Sequence, residues 1–120
     1  MTDFLKPSEY VTVVVAVPES HADAVRYAMG MAGAGESEHY AFASFSVKGI
    51  GRFMPKKGAT PFLGKEDVLE TVVEERIESV CAKNKLERVL EEIKKAHPYE
   101  EFVIDIYPVY ENGYKKRLNE

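Results

Sequence analysis

From Tyr10 to Val17 the chain reads Tyr-Val-Thr-Val-Val-Val-Ala-Val and is closed by Pro18, a β-branched run that predicts a central strand buried on both faces. Ser20 followed by Asp23 has the spacing of a capping box. Val25, Ala28, Met29 and Ala32 then recur at helical intervals until Gly33 and Gly35, which predicts a first helix. From Tyr40 to Val47 aromatic, small and hydroxyl residues alternate, with Phe42 on one side and Phe45 and Val47 on the other, and this predicts a second strand.

The segment from Val68 to Val80 reads two ways. Val68, Leu69, Val72, Val73, Ile77 and Val80 fit a helical stripe better than Val73, Glu75, Ile77 and Ser79 fit a strand, so periodicity alone favours helix. Against that, Asn84 with Glu87 marks a fresh helix start, and Leu86, Val89, Leu90 and Ile93 carry an apolar stripe from there to Ala96. Phe102 to Val109 alternates again, with Pro108 near its end. Taking Glu70 to Cys81 as a strand closes the pattern into β-α-β-β-α-β, the α+β ferredoxin-like sandwich. A helix there leaves three strands with no familiar closure. We therefore expect a strand at Glu70 to Cys81 and a long loop joining the second and third strands.

Length and composition fit one domain over residues 1–120, with its core at about residues 10–110 and a polar extension at 111–120 that includes Lys115, Lys116 and Arg117. A formal charge of −4 argues against a nucleic-acid binder acting through bulk electrostatics. Cys81, the single cysteine, excludes an intrachain disulfide framework and reads as a small core residue. The start Met-Thr-Asp-Phe-Leu-Lys has no leader-like pattern. The longest apolar run, Val13 to Val17 with its neighbours, falls far below the roughly 20 residues needed to cross a bilayer. The expectation is a cytoplasmic protein that engages neither membrane nor nucleic acid.

Against this acidic background, Gly49 to Gly64 contains four glycines, two prolines, three cations and no acid. Arg52, Lys56 and Lys57 suit an anionic small molecule or a protein partner. Phe53 and Phe62 are poor choices for a fully solvated loop, and Pro55 and Pro61 lower the entropic cost of ordering it. The plain alternative is a rigid loop folded on its own protein. No Gly-Lys-Ser/Thr opens a helix, so this is not a Walker motif.

A second distinctive run, His97-Pro98-Tyr99-Glu100-Glu101, lies where the second helix stops. Its structural explanation is simple: Pro98 turns its predecessor away from helical geometry, and an imidazolium at a helix carboxyl end favours the dipole. Its chemical reading is a proton carrier or a divalent-metal ligand at His97, with Glu100 or Glu101 as partner. One histidine and two carboxylates do not complete a metal shell within one chain. His21 reads as a solvated or helix-packing residue, and Glu74, Glu75 and Glu78 as a solvated strand face.

Taken together, Val17-Pro18-Glu19-Ser20-His21-Ala22-Asp23, Gly33-Ala34-Gly35, Gly51-Arg52-Phe53, Pro55, Gly58-Ala59, Pro61-Phe62, Gly64, Glu75-Arg76-Ile77-Glu78 and Ala96-His97-Pro98-Tyr99-Glu100-Glu101 resemble one family. They resemble the inserted domain of the Nif-three-like dinuclear-metal proteins and its single-domain, YqfO-like relatives, from about Val13 to Tyr107. The resemblance implies a fold similar to PII signal proteins and to the divalent-cation tolerance protein CutA, and it supports the strand at Glu70 to Cys81. It does not bring a metal site, because the larger relatives hold their metals in flanking domains. The chain also departs from the family where the relatives carry a histidine and a cysteine: Phe42 and Ala43 stand there. Phe102 stands where a proline usually follows the two glutamates.

The similarity to PII makes the cationic loop the counterpart of a partner-contacting hairpin loop. It implies a homo-oligomer, a trimer being favoured, in which Arg52, Lys56 and Lys57 approach a subunit cleft opposite His97, Tyr99 and Glu100 of a neighbour; Arg52, Phe53, Lys56, Lys57, His97 and Tyr99 are the candidate ligand-binding residues. The resulting expectation is a non-catalytic binding or regulatory module. The alternatives are a CutA-like divalent-metal protein using His97, Glu100 and Glu101, and, behind it, a small hydrolase, for which no nucleophile and base stand paired.

Overall fold

The β-branched run becomes β1 (Pro7–Pro18), and the computed structural model, which describes residues 4–114, adds β2 (Phe45–Phe53), β3 (Glu70–Ala82) and β4 (Ile104–Tyr110). The helices are α1 (Ala22–Ala32) and α2 (Leu86–Ala96), with one further helical turn, α3 (Glu111–Tyr114). The four strands form one sheet in the order β2-β3-β1-β4, every neighbouring pair antiparallel. β1 and β2 thus run parallel with β3 between them, as β3 and β4 do around β1, and each parallel pair is joined by a helix. This is the expected α+β ferredoxin-like arrangement.

Register fixes the core. Val11, Val13, Val15 and Val17 share one face of β1, and Val15 and Val11 stand opposite Ile77 and Cys81 of β3. Val25 and Met29 of α1 and Val89 and Ile93 of α2 pack onto that face, all at most 2% exposed. Each such side chain stabilises the fold by about 1.5–3 kcal/mol. The opposite face of the sheet presents Phe45, Val47, Val80 and Tyr107, all exposed.

Neither helix start follows its expected cap. Glu19–His21 forms a 3-10 turn before α1, and Ser20 hydrogen-bonds His21 Nδ1 at 2.9 Å instead of capping a backbone amide. Lys83–Lys85 likewise forms a 3-10 turn ahead of α2, which takes Asn84 out of a capping position. A 3-10 turn satisfies amide donors by tightening the backbone, so no side chain is required. The far end of α1 is as expected: Gly33, at φ 112, donates back to Gly30 and Met29.

The second strand lies further along the chain than its pattern predicts. Residues 37–44 dock on α1 and on the end of β3: Gly35 donates to the Val80 carbonyl (2.7 Å), Ala43 to that of Gly35 (3.1 Å), and the Ser79 hydroxyl to that of Ala43 (2.8 Å). Phe42, at φ 61, lays its ring over Gly30 and against Tyr27. Pairing with β3 begins only at Phe45 and continues through Gly49 and Gly51 to Phe53. The first five residues of the presumed loop are therefore strand. The remaining alternation shifts by less: β4 starts at Ile104, not Phe102. Of the expected polar extension, Glu111–Tyr114 is the helical turn, and Lys115, Lys116 and Arg117 lie outside the described residues.

Candidate functional site

β2 and β3 are joined by residues 54–69, which close on themselves. Pro55 is buried and its carbonyl accepts the Asp67 amide at 2.8 Å, so the loop has a narrow neck. At the tip, Ala59 donates to the Lys56 carbonyl at 3.0 Å with Gly58 at φ 97, the positive angle that a type II turn requires at its third position. Lys56 and Lys57 occupy the first two positions of that turn. Phe62 meets the edge of the His21 ring, with centroids 5.1 Å apart.

The other wall is the segment between α2 and β4. His97 ends α2 in an extended conformation, with its amide still donating to Ile93 at 2.9 Å. β4 pairs with β1 only as far as Val15, and the next β1 carbonyl, that of Ala16, accepts from His97 Nε2 at 2.8 Å. Nδ1 accepts the Tyr99 amide at 3.2 Å, so Nε2 carries the proton and the ring is the neutral tautomer. The ring also stacks on Phe102 at 3.9 Å and 9°. Burial lowers the His97 pKa, only partly opposed by the Ala16 hydrogen bond. A neutral, buried imidazole thus replaces the imidazolium that a dipole argument suggested, and it has no lone pair free for a cation.

Tyr99 reaches past the end of β1, and its hydroxyl donates to Glu74 Oε2 at 2.7 Å while its ring meets Phe53 edge-on at 5.6 Å. Burial and then the Glu74 carboxylate push the Tyr99 pKa upward, so the phenol stays protonated. Glu74 lies over the β2 backbone at Gly51, where a Cβ would stand 2.2 Å from its Oε1. Glu100 accepts the Thr60 amide at 3.1 and 3.0 Å on its two oxygens and the Thr60 hydroxyl at 2.7 Å. The Thr60 amide, followed by its hydroxyl, lowers the Glu100 pKa. The cationic loop and the His-Pro-Tyr-Glu-Glu segment therefore meet within a single chain.

Between them lies an open groove of about 860 Å³. Phe53, Phe62 and Phe102 contribute apolar walls, Glu74, Arg76 and Asp105 a charged floor, and Lys56 and Lys57 a cationic rim. Arg52, Lys56 and Lys57 are exposed, and none of their side chains makes a hydrogen bond or ion pair with another described residue. Glu101 also lines the groove. It does not converge with His97 and Glu100, and among the described residues no three histidine, cysteine or acidic side chains are grouped as a metal donor set. Cys81 lies in the core, 1% exposed, with its pKa raised by burial.

Sequence reasoning missed Thr60, Glu74 and Phe102. The three glutamates of β3 do not form one solvated face: Glu74 bonds Tyr99, whereas Glu75, one residue on and thus on the helix side, pairs with Arg26 of α1. Strand alternation at 74 and 75 was the available signal for that split. Nothing in the sequence marks Thr60.

No family model matches the chain. The "GTP cyclohydrolase 1 type 2 homolog" of Halalkalibacterium halodurans is 43% identical over 101 residues, which is 84% of this chain and 27% of that protein. The chain thus spans about a quarter of the length of the curated relatives it matches. Among solved structures, a Bacillus cereus protein related to NIF3 superposes with a TM-score of 0.72 at 40% identity, covering 86% of this chain and 27% of its own. CutA of Archaeoglobus fulgidus, a periplasmic divalent cation tolerance protein, gives 0.60 at 14% identity, with 92% and 88% covered. The GlnK–ATP complex of Bacillus subtilis gives 0.56 at 14%, with 83% and 81% covered. The last two likenesses are of fold alone.

Proposed function

Since the chain belongs to the Nif-three-like family, matching one segment of its longer members, we propose that it is a non-catalytic binding or regulatory module whose ligand enters the groove beside the cationic loop. The observation that carries this reading is the groove itself. It is large enough for a small organic molecule, with aromatic walls and a rim of lysines with which no described acidic side chain forms an ion pair. That combination suits an anion attached to an apolar or planar body, or an acidic segment of a protein partner. Catalysis fits poorly, because His97 is neutral and engaged on both nitrogens, Tyr99 is held protonated and Cys81 is in the core.

The module acts as a homo-oligomer, a trimer in the favoured form. Phe45, Val47, Val80 and Tyr107 on the helix-free side of the sheet, together with the edge strand β2, are what assembly would cover. Arg52, on the outer strand, then faces the cleft between subunits.

Calorimetric titration of the protein with inorganic phosphate, polycarboxylates and nucleotides tests the reading. Binding that weakens with added salt and falls at least about tenfold in Lys56→Ala/Lys57→Ala supports it. A flat response across the panel, with an unchanged melting temperature, overturns it. Sedimentation equilibrium addresses assembly separately, and a monomer at micromolar concentration removes the trimer.

A further inference from the structure

Glu100 and Thr60 form the one direct polar link described between the loop and the opposite wall of the groove. Its form is that of oxyanion recognition. A single residue offers two donors, the amide shared between both carboxylate oxygens and the hydroxyl directed at one of them. The amide is available because the turn that ends at Ala59 uses the Ala59 donor and leaves the next one free.

Three features set this contact apart from a simple tether. Thr60 and Glu100 are both exposed, so a carboxylate from solution can reach the donors and Glu100 can leave without uncovering a core. Lys56 and Lys57 lie four and three positions before Thr60, in the turn that leads to it, and their side chains make no ion pair with Glu100 or with any other described acid. The carboxylate that occupies the Thr60 donors therefore leaves both lysine side chains unpaired among the described residues. Exposed charge-assisted contacts are also weak, so exchange of one oxyanion for another costs little.

We infer that the Thr60 amide and hydroxyl form an oxyanion subsite of the groove, filled by the chain's own Glu100 until a ligand carboxylate or phosphate displaces it. The inference rests on the reading that the groove binds an anionic ligand, and it names the point at which the anion is held. Glu100 is then an internal competitor: the apparent affinity of the groove is its intrinsic affinity multiplied by the fraction of molecules in which Glu100 has swung away. Release of Glu100 also frees the loop from the segment that holds Tyr99, which couples ligand entry to loop position.

Amide NMR of the whole chain tests this, titrating inorganic phosphate in one arm and acetate in the other at fixed ionic strength. The Thr60 amide is expected to shift in the wild type. Glu100→Ala is expected to bind phosphate at least about tenfold more tightly, as removal of a tethered competitor requires. Thr60→Val in the Glu100→Ala background should reverse that gain. A response to phosphate alone assigns the subsite to a phosphate, and an equal response to acetate assigns it to a carboxylate. If Glu100→Ala binds phosphate no better or less well, or if Lys56 and Lys57 respond while Thr60 does not, the subsite is wrong and the groove reading survives. If no loop residue responds in either protein, both fall.

Discussion

The Tyr99 hydroxyl donates to the Glu74 carboxylate at 2.7 Å across the end of β1, and the glycine at position 51 leaves the space in which that carboxylate lies. Loss of the hydroxyl in Tyr99→Phe leaves a partly buried carboxylate without its donor. We expect a loss of about 1–2 kcal/mol in urea denaturation. Gly51→Ala should displace the flexible Glu74 side chain and leave the β2–β3 pairing intact. The Tyr99 ring resonances then shift as they do in Glu74→Gln, and an unchanged Tyr99 environment in Gly51→Ala would contradict the geometry.

His97 makes stability depend on pH. Burial lowers its folded pKa below the unfolded value of 6.5, so between those two values the unfolded chain binds more protons than the folded one. Stability from this residue is fully present above pH 6.5 and declines as the pH falls from there toward the lowered folded pKa. Denaturation midpoints measured across that window should fall with pH in the wild type and fall less in His97→Gln. A wild-type profile that is flat below 6.5 counts against a buried neutral ring.

Gly35 sits at φ 76, and a Cβ there would meet the Ala43 carbonyl oxygen at 2.2 Å. Both the backbone angle and the contact oppose any side chain, so Gly35→Ala should cost more than about 1 kcal/mol and loosen residues 37–44 from α1. Hydrogen exchange at Ala43, whose amide bonds Gly35, reports that loosening directly. Protection equal to wild type would show that the segment is held some other way.

Ile93, on α2, is fully buried against the valine face of β1. Ile93→Ala should lower stability by about 2–5 kcal/mol, the range for a large aliphatic core residue cut back to alanine. Leu90, half-buried one turn earlier, should cost clearly less. Equal losses at the two positions would contradict the helix orientation.

How much of this was legible in the chain varied by element. The valine run of β1 and the Leu86, Val89 and Ile93 stripe of α2 were plain, because each lies under or within one continuous core. β3 was ambiguous because its buried alternation is confined to Ile77, Ser79 and Cys81, while none of residues 70–75 is fully buried. Their apolar residues happened to fall at helical spacing, and only the closure of the whole topology favoured strand. β2 was misplaced for the converse reason. Phe42 is held at a positive φ by packing on Gly30, so its alternation with Phe45 and Val47 was not strand alternation.

The candidate site divides the same way. Composition alone marked Arg52, Phe53, Lys56 and Lys57 and the run from His97 to Glu101 as unusual, because a cationic stretch stands out in an acidic chain whatever its conformation. Which of them meet was decided by tertiary structure, since β4 stops short of Ala16 and lets His97 take the strand's hydrogen bond, turning Tyr99 toward Glu74. The sequence determined the order of elements and the family, both of which depend on patterns spread along the chain. Only the folded structure could pair Thr60 with Glu100, because a hydrogen bond between residues 40 positions apart depends on where the sheet ends bring two loops together.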